Sequence, residues 1–228
     1  MKKILILGSN SDIGISLLSE IVKTKDYIIH AHYNKNFPKK KIKQKIKLIK
    51  RDLNKLNEKN LKSIFDNDYD VVVNLVGYVG KKNFLKFDNS EITKTLKINS
   101  IFPMLIIRNC LKKMIKKRYG RIINTSSIGV KFGGGNSFAY SLSKHVNEFI
   151  PNYIRKLSSK NVFYNTLRIG VTDTKIHKKI GNKSLKKRIK LIPVQKMANK
   201  NDIAKYIFYL IKDNNFITNE IINITGGE

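Results

Sequence analysis

A tyrosine and a lysine four residues apart, Tyr140 and Lys144 in the stretch FAYSLSKHVNEF, are where this sequence could do chemistry. On a helix that spacing puts both side chains on one face. An ammonium beside a phenol favours the phenolate and draws its pKa down from about 10. A phenol so tuned suits general acid/base work near neutral pH. Thirteen residues before the tyrosine, the stretch INTSS carries Ser126 and Ser127 at the end of an apolar run. A hydroxyl there can hydrogen-bond a carbonyl oxygen. Each signal is ordinary alone, because a lysine-rich chain places Tyr and Lys at helical spacing by chance and paired serines are common turn chemistry.

A second kind of chemistry is suggested near the N-terminus. The stretch LGSNSDIG, Leu7 to Gly14, lies between the apolar run ILIL and an apolar-periodic segment. It reads as a strand, a tight turn and a helix start, and such turns cradle phosphates. Only Gly8 and Gly14 are glycines, so the stretch does not fit Gly-x-Gly-x-x-Gly, and a carboxylate, Asp12, sits between them. An acid pointing inward would repel a pyrophosphate. The Asp12 side chain is therefore expected to turn away and to cap or complement the N-terminus of the following helix. Backbone N–H groups near Ser11 to Ile13, with the side chains of Ser9, Asn10 and Ser11, are left to hold the phosphates.

These residues need elements to position them, and the apolar pattern supplies a β-α alternation. Strands are expected at KILIL (3–7), YIIHAH (27–32), KLIK (47–50), DVVVNLV (70–76), GRIINTSS (120–127), VFYNTLRI (162–169) and EIINIT (220–225). Helical spacing runs through 13–22, 57–65, 90–118 as two stretches joined near Asn99, Ala139 to Leu157 despite Pro151, and 201–212. Near-continuous apolar strands alternating with helices mean a parallel sheet covered on both faces. Right-handed crossovers then give an α/β, doubly wound, Rossmann-like sheet of about seven strands. In such sheets ligands bind at the carboxyl ends of the strands, and the stretches GSNSDIG, NLVG, TSS and RIGVTDT all follow strands directly. No linker or repeat divides the chain, so one domain over residues 1–228 is expected.

Composition narrows the class further. The apolar run at residues 4–7 is too short for a leader or a membrane span. The one cysteine, Cys110, excludes an internal disulfide and lies in an apolar stretch, as a buried thiol does. These features point to a cytoplasmic protein. The formal charge is +30, a field that attracts anions. The lysines are spread along the whole chain as compositional bias spreads them, which speaks against a nucleic-acid surface. The four histidines, His30, His32, His145 and His177, show no metal-ligand spacing, and no metal is expected.

Taken in order and with their spacing, LGSNSDIG, NLVG, KIN, INTSS, AYSLSK and RIGVTDT resemble the short-chain dehydrogenase/reductase family, in its single-domain kind similar to 3-oxoacyl-acyl-carrier-protein reductases. AYSLSK stands for the family's Tyr-x-x-x-Lys, and NLVG stands where the family usually has Asn-Asn-Ala-Gly. The resemblance implies that Tyr140 is the acid/base, that Lys144 tunes it and bonds the nicotinamide ribose, that Ser127 polarises the carbonyl, and that Asn99 holds a water relaying protons toward Lys144. It also implies an adenine contact by Asp52 with Leu53 beside it, and support of the central strand near the adenosine ribose by Asn74 and Gly77. The nicotinamide end falls to Gly170, Thr172 and Thr174. Set against the family's Gly-x-x-x-Gly-x-Gly, Asp12 replaces the middle glycine, and Ile169 stands for the usual proline of a Pro-Gly segment.

The cofactor and substrate follow from what surrounds these positions. An NAD site commonly has an acid about 20 residues after the glycine loop. Here no acid lies between Asp26 and Asp52, and Asn34 and Lys35 follow the second strand. NADP(H) is therefore expected in preference to NAD(H). Residues 171–195 occupy the family's substrate lid and carry eight Lys or Arg residues, from Lys175 to Lys190. With the basic turn KKRYGR (116–121), this suits a carbonyl substrate that is anionic or bound to an acidic carrier protein. A nucleotide-linked or other sugar in glycan synthesis is the alternative substrate. A non-catalytic nucleotide-sensing or nucleic-acid-binding protein on the same scaffold is the alternative of another class, and one that has no need of Tyr140, Lys144, Ser127 and Asn99 together. The family's interface helices map onto Asn99–Lys117 and Ala139–Ser158, which implies a homodimer or homotetramer.

Overall fold

The run ILIL is fully buried from Ile4 to Leu7, as a strand covered on both faces must be. The computed structural model describes residues 1–37, 46–65, 68–80, 82–175 and 182–228. Its seven strands are β1 (Lys2–Leu7), β2 (Tyr27–Tyr33), β3 (Lys47–Lys50), β4 (Val71–Asn74), β5 (Gly120–Ser127), β6 (Val162–Ile169) and β7 (Ile221–Ile224). They form one parallel sheet in the order β3-β2-β1-β4-β5-β6-β7. The order reverses between β1 and β4, and a ligand crevice belongs at their carboxyl ends.

Alternation along the strands sorts the core into two layers. Ile4 and Ile6 of β1 and Val71 and Val73 of β4 meet α1 (Asp12–Ile21) and α8 (Lys200–Lys212) through Leu17, Leu18, Ile203 and Ile207. Leu5, Leu7 and Val72 face the other way, onto α2 (Glu58–Ile64) and α4 (Phe102–Lys117) through Leu61, Phe102, Ile106 and Cys110. Cys110 is buried, with its thiol against the Ile106 carbonyl. Among the described residues no helix is long and apolar enough to cross a membrane.

Two local expectations are corrected, and two stretches gain detail. The helix expected from Ala139 to Leu157 is α5 (Phe138–Val146) followed by a break, the single turn α6 (Asn152–Arg155) and a 3-10 segment. Pro151 has no N–H for the carbonyl of Asn147. That carbonyl accepts instead from Asn124 Nδ2 at 3.3 Å and Thr166 Oγ1 at 2.9 Å. Strand β4 stops at Asn74 rather than Val76, because the Asn74 side chain turns back to accept the Val76 N–H at 3.1 Å. The two helices of 90–118, α3 (Asn89–Leu96) and α4, join near Asn99 as expected, through a π-turn at Lys97–Ile101. The basic stretch 171–195 contains α7 (Asn182–Lys190). Residues 176–181, with Lys178, Lys179 and His177, lie outside the described residues.

The histidines of β2 do not converge on a metal. His30 Nδ1 pairs with the Tyr69 hydroxyl at 2.8 Å, and His32 is engaged by backbone groups. No cluster of three metal-ligating side chains occurs among the described residues.

Candidate active site

Helix α5 and the end of β5 bring Ser127, Tyr140 and Lys144 to one cleft at the carboxyl edge of the sheet, together with Gly77, Gly170, Thr172 and Thr174. Lys144 is 3% exposed. Its ammonium donates to the carbonyl of Val76 at 2.8 Å and to that of Thr125 at 3.2 Å, spanning the ends of β4 and β5. It lies 5.8 Å from the centre of the Tyr140 ring. Ser127 accepts the Gly129 N–H at 3.2 Å and lines the cleft with Tyr140.

The electrostatics differ from the sequence expectation. Burial pushes the Tyr140 phenol up, and its contact with Ser127 only partly opposes this. The lysine is not lowering the phenol here, because burial pushes Lys144 itself down to about 7. Desolvation disfavours its charged form, and the acceptors around it are neutral carbonyls.

Asn99 is fully used. Its Oδ1 accepts the Tyr78 N–H at 2.7 Å, and its Nδ2 donates to the Tyr78 carbonyl at 2.9 Å and to Ser143 Oγ at 2.8 Å. Its carbonyl accepts from Asn147 Nδ2 at 3.2 Å and, at 3.5 Å, from Asn74 Nδ2. Asn99 is thereby fastened by protein partners through both its side chain and its backbone carbonyl. It holds the segment after β4 against α5. The sequence reading missed Ser143, which links Asn99 to the Tyr140 carbonyl at 2.7 Å. Ser126, next to Ser127, turns away and donates to Glu148 at 2.7 Å. Glu148 also takes two 2.7 Å bonds from Arg168 of β6. Burial alone would raise the Glu148 carboxyl, but the bonds from Arg168 and Ser126 hold it below its usual range.

The cleft continues past β1 toward β3. Asn10, Ser11, Leu75, Val76 and Gly77 line both its catalytic end and a second part formed by Gly8, His32, Asn34, Arg51, Asp52 and Leu53. The turn at its centre is built by glycines: Gly8 has φ +73°, and a Cβ at Gly14 would come within 2.6 Å of the Ser9 carbonyl oxygen. Ser11, not Asp12, caps α1, accepting the Gly14 N–H at 3.1 Å. Asp12 stands as an acid in the first turn of α1 and lines the cleft, and its carboxylate accepts the Lys175 N–H at 2.7 Å. Ser9 is corrected too, since it is fully buried with its hydroxyl on the His32 carbonyl at 2.8 Å. Asn74 is likewise sealed in the interior, donating to Asn124 Oδ1 at 2.7 Å, and supports β4 without reaching the cleft. Asp52 holds the turn at Leu53–Lys55 through the Asn54 N–H. Lys35 does not join Asn34 in this part of the cleft. It lines an adjoining groove with Asn36 and Lys205.

Two further residues shape this end. His32 Nδ1 accepts the Gly8 N–H at 3.3 Å, so its Nε2 carries the proton donated to the Arg51 carbonyl at 3.0 Å. Burial pushes its pKa down to about 4, which keeps it neutral. Arg51 lines this end of the cleft, where the sequence reading expected only Asn34 and Lys35, and its guanidinium donates to the Lys50 carbonyl at 2.8 Å; its position directly before Asp52 was the available signal. At the centre of the cleft, no protein acceptor among the described residues takes the N–H groups of Asp12 and Ile13. An elongated cleft with free helix-start N–H groups at its middle fits a dinucleotide whose pyrophosphate sits there.

Comparison with known proteins agrees with this fold. A family model described as enoyl-(acyl carrier protein) reductase matches residues 51–228. The chain is 28% identical over 184 residues to the 3-oxoacyl-(acyl-carrier-protein) reductase of Aquifex aeolicus, covering 77% of this chain and 74% of that one. A structure of 4-hydroxyisoleucine dehydrogenase complexed with NADH superposes with a TM-score of 0.88 at 24% identity, covering 100% of this chain and 98% of that one. A 3-oxoacyl (acyl-carrier-protein) reductase from Agrobacterium tumefaciens with NADP bound superposes with a TM-score of 0.86 at 18% identity, covering 100% and 94%. The fold and the family match define the class: the chain belongs to the short-chain dehydrogenase/reductase family. It is an oxidoreductase of that type.

Burial of Lys144 has a measurable consequence. Between its folded value of about 7 and its ordinary value of 10.5 the unfolded chain binds one more proton than the folded one at this site. Stability therefore rises with pH through that window, by about 1.4 kcal/mol per unit from this group. Denaturant unfolding at several pH values is expected to show this rise in the native protein and its loss in Lys144→Met. Equal slopes in the two proteins would contradict the assignment.

Proposed function

We propose that the chain interconverts a carbonyl and an alcohol with NADP(H), acting by preference as a reductase of 3-oxoacyl thioesters on a carrier protein. The carrying observation is the meeting of Ser127, Tyr140 and Lys144 at one end of a cleft whose other end holds Arg51. A bound nicotinamide dinucleotide supplies hydride to the carbonyl carbon. Ser127 and Tyr140 donate hydrogen bonds to the carbonyl oxygen as negative charge grows on it, and Tyr140 gives it a proton. A phenol pushed up by burial keeps its proton at neutral pH, which suits the reductive direction. Lys144, pushed down to about 7, is poised to return a proton to the phenol at the same pH. Asn99 and Ser143 act as positioning residues through α5. Thr172, Thr174 and Gly170 flank the nicotinamide end, and Asp52 with Leu53 the adenine end.

Arg51 and Asn34 support the choice of NADP(H). A 2′-phosphate on the adenosine ribose meets a guanidinium there, and no carboxylate stands between Asp26 and Asp52. The carrier-bound substrate is supported by the name of the Aquifex aeolicus relative and by charge. Arg118, at the exposed end of α4, reaches the Ser159 carbonyl, and α7 adds Lys186, Lys187 and Lys190. An assembly of two or four copies accounts for Ile101, Met104, Phe149 and Tyr153, which are exposed at and after the two interface helices.

Three measurements test this reading. Tyr140→Phe is expected to lower kcat by about 10²–10⁴-fold while NADPH binding, followed by fluorescence, is retained; full activity would sink the mechanism. Arg51→Ala is expected to weaken NADPH binding by about 10–100-fold with little change for NADH, and comparable kcat/KM for NADH and NADPH in the native enzyme would refute the preference. With a 3-oxoacyl carrier-protein substrate, kcat/KM is expected to fall steeply as salt rises. A flat response would point to a small neutral ketone instead.

A further inference from the structure

We infer that Asp12 is a positioning residue that fastens the segment Val171–Lys175, one wall of the cleft, to the start of α1. An acid at this place is costly, since it stands beside the free N–H groups where phosphate would bind. It is also superfluous as a cap, because Ser11 already accepts the Gly14 N–H. What the carboxylate does is accept the backbone N–H of Lys175, 163 residues away, at 2.7 Å.

The rest of the wall is held from the opposite side. Thr172 forms a parallel bridge with Ala198. The Asp173 N–H donates to the Ala198 carbonyl at 3.0 Å, and the Ala198 N–H to the Val171 carbonyl at 2.8 Å. Those bonds secure Val171–Asp173, and the segment then runs on to Thr174 and Lys175 above the cleft. The Thr174 hydroxyl bonds only within the segment, to the Thr172 carbonyl at 3.3 Å, among the described residues. Asp12 thus anchors the far end of the wall that carries Thr172 and Thr174. The lysines lining the neighbouring groove, Lys35, Lys175, Lys200 and Lys205, offset the added negative charge. At this position the acid trades some anion affinity for an ordered wall. Its value to turnover rests on the dinucleotide reading above, but the fastening itself does not.

The test compares Asp12→Asn, which removes the charge and keeps an acceptor, with Asp12→Ala, which removes both. Hydrogen exchange is followed on the nucleotide-free proteins in peptides covering 171–175, and NADPH affinity is measured by titration. Exchange at the Lys175 amide is expected to speed up at least about tenfold in Asp12→Ala and much less in Asp12→Asn. Asp12→Asn is expected to bind NADPH more tightly than the native protein, and Asp12→Ala less tightly than Asp12→Asn. Unchanged exchange in Asp12→Ala overturns the inference. Equal NADPH affinity in the two variants, both above the native protein, also overturns it, since Asp12 would then act by charge alone. Faster exchange in Asp12→Ala with no NADPH binding by any of the three proteins leaves the fastening standing and overturns the dinucleotide reading instead.

Discussion

A buried ammonium sets the terms for the whole site. Lys144 is withdrawn from water and answered by two main-chain carbonyls, of Val76 and Thr125. Those carbonyls lie just beyond β4 and within β5, so the lysine ties the two strand ends to α5. Charge is expensive in such a place. Burial therefore moves the proton affinity of Lys144 into the neutral range and leaves the neighbouring phenol protonated. The same desolvation that costs stability shifts the proton affinities of both groups.

Around the lysine's partners lies a buried polar lattice. Asn74, Asn99, Asn124 and Asn147 bond to one another and to backbone groups. Ser100 and Ser143 stitch the π-turn to α5. Side-chain amides here do what strand partners do elsewhere: Asn99 pairs with both backbone groups of Tyr78. The π-turn exists in the same place, and an extra residue per turn at a functional site is a recurring use of that geometry. The lattice also explains why α5 ends where it does, with the Asn147 carbonyl drawn to Asn124 and Thr166.

At the other end of the cleft a neutral histidine does similar work. His32 joins the glycine turn at Gly8 to the Arg51 carbonyl, so the turn after β1 and the end of β3 are set relative to each other by one imidazole. The polar ends of four strands are thus locked side chain to backbone, while the apolar layers above and below carry the burial.

How much of this was legible in the sequence depends on the range of the interaction. The strands GRIINTSS and VFYNTLRI are read residue for residue, because near-continuous apolar runs state their own burial. The pairing of Tyr140 with Lys144 and the placing of Ser127 at a strand end are likewise local, set by helical spacing and by where an apolar run stops. The sequence by itself determined the sheet, the meeting of Ser127, Tyr140 and Lys144 at one cleft and the family resemblance. It did not determine where Asp12, Ser9 or Asn99 would point. Their partners are Lys175, His32 and Tyr78, residues far away along the chain whose proximity exists only once the strands have taken their order. The same holds for the proton affinities of Tyr140 and Lys144. Spacing predicts a lowered phenol, but desolvation depends on everything packed around it, and only the tertiary structure decides how much water remains.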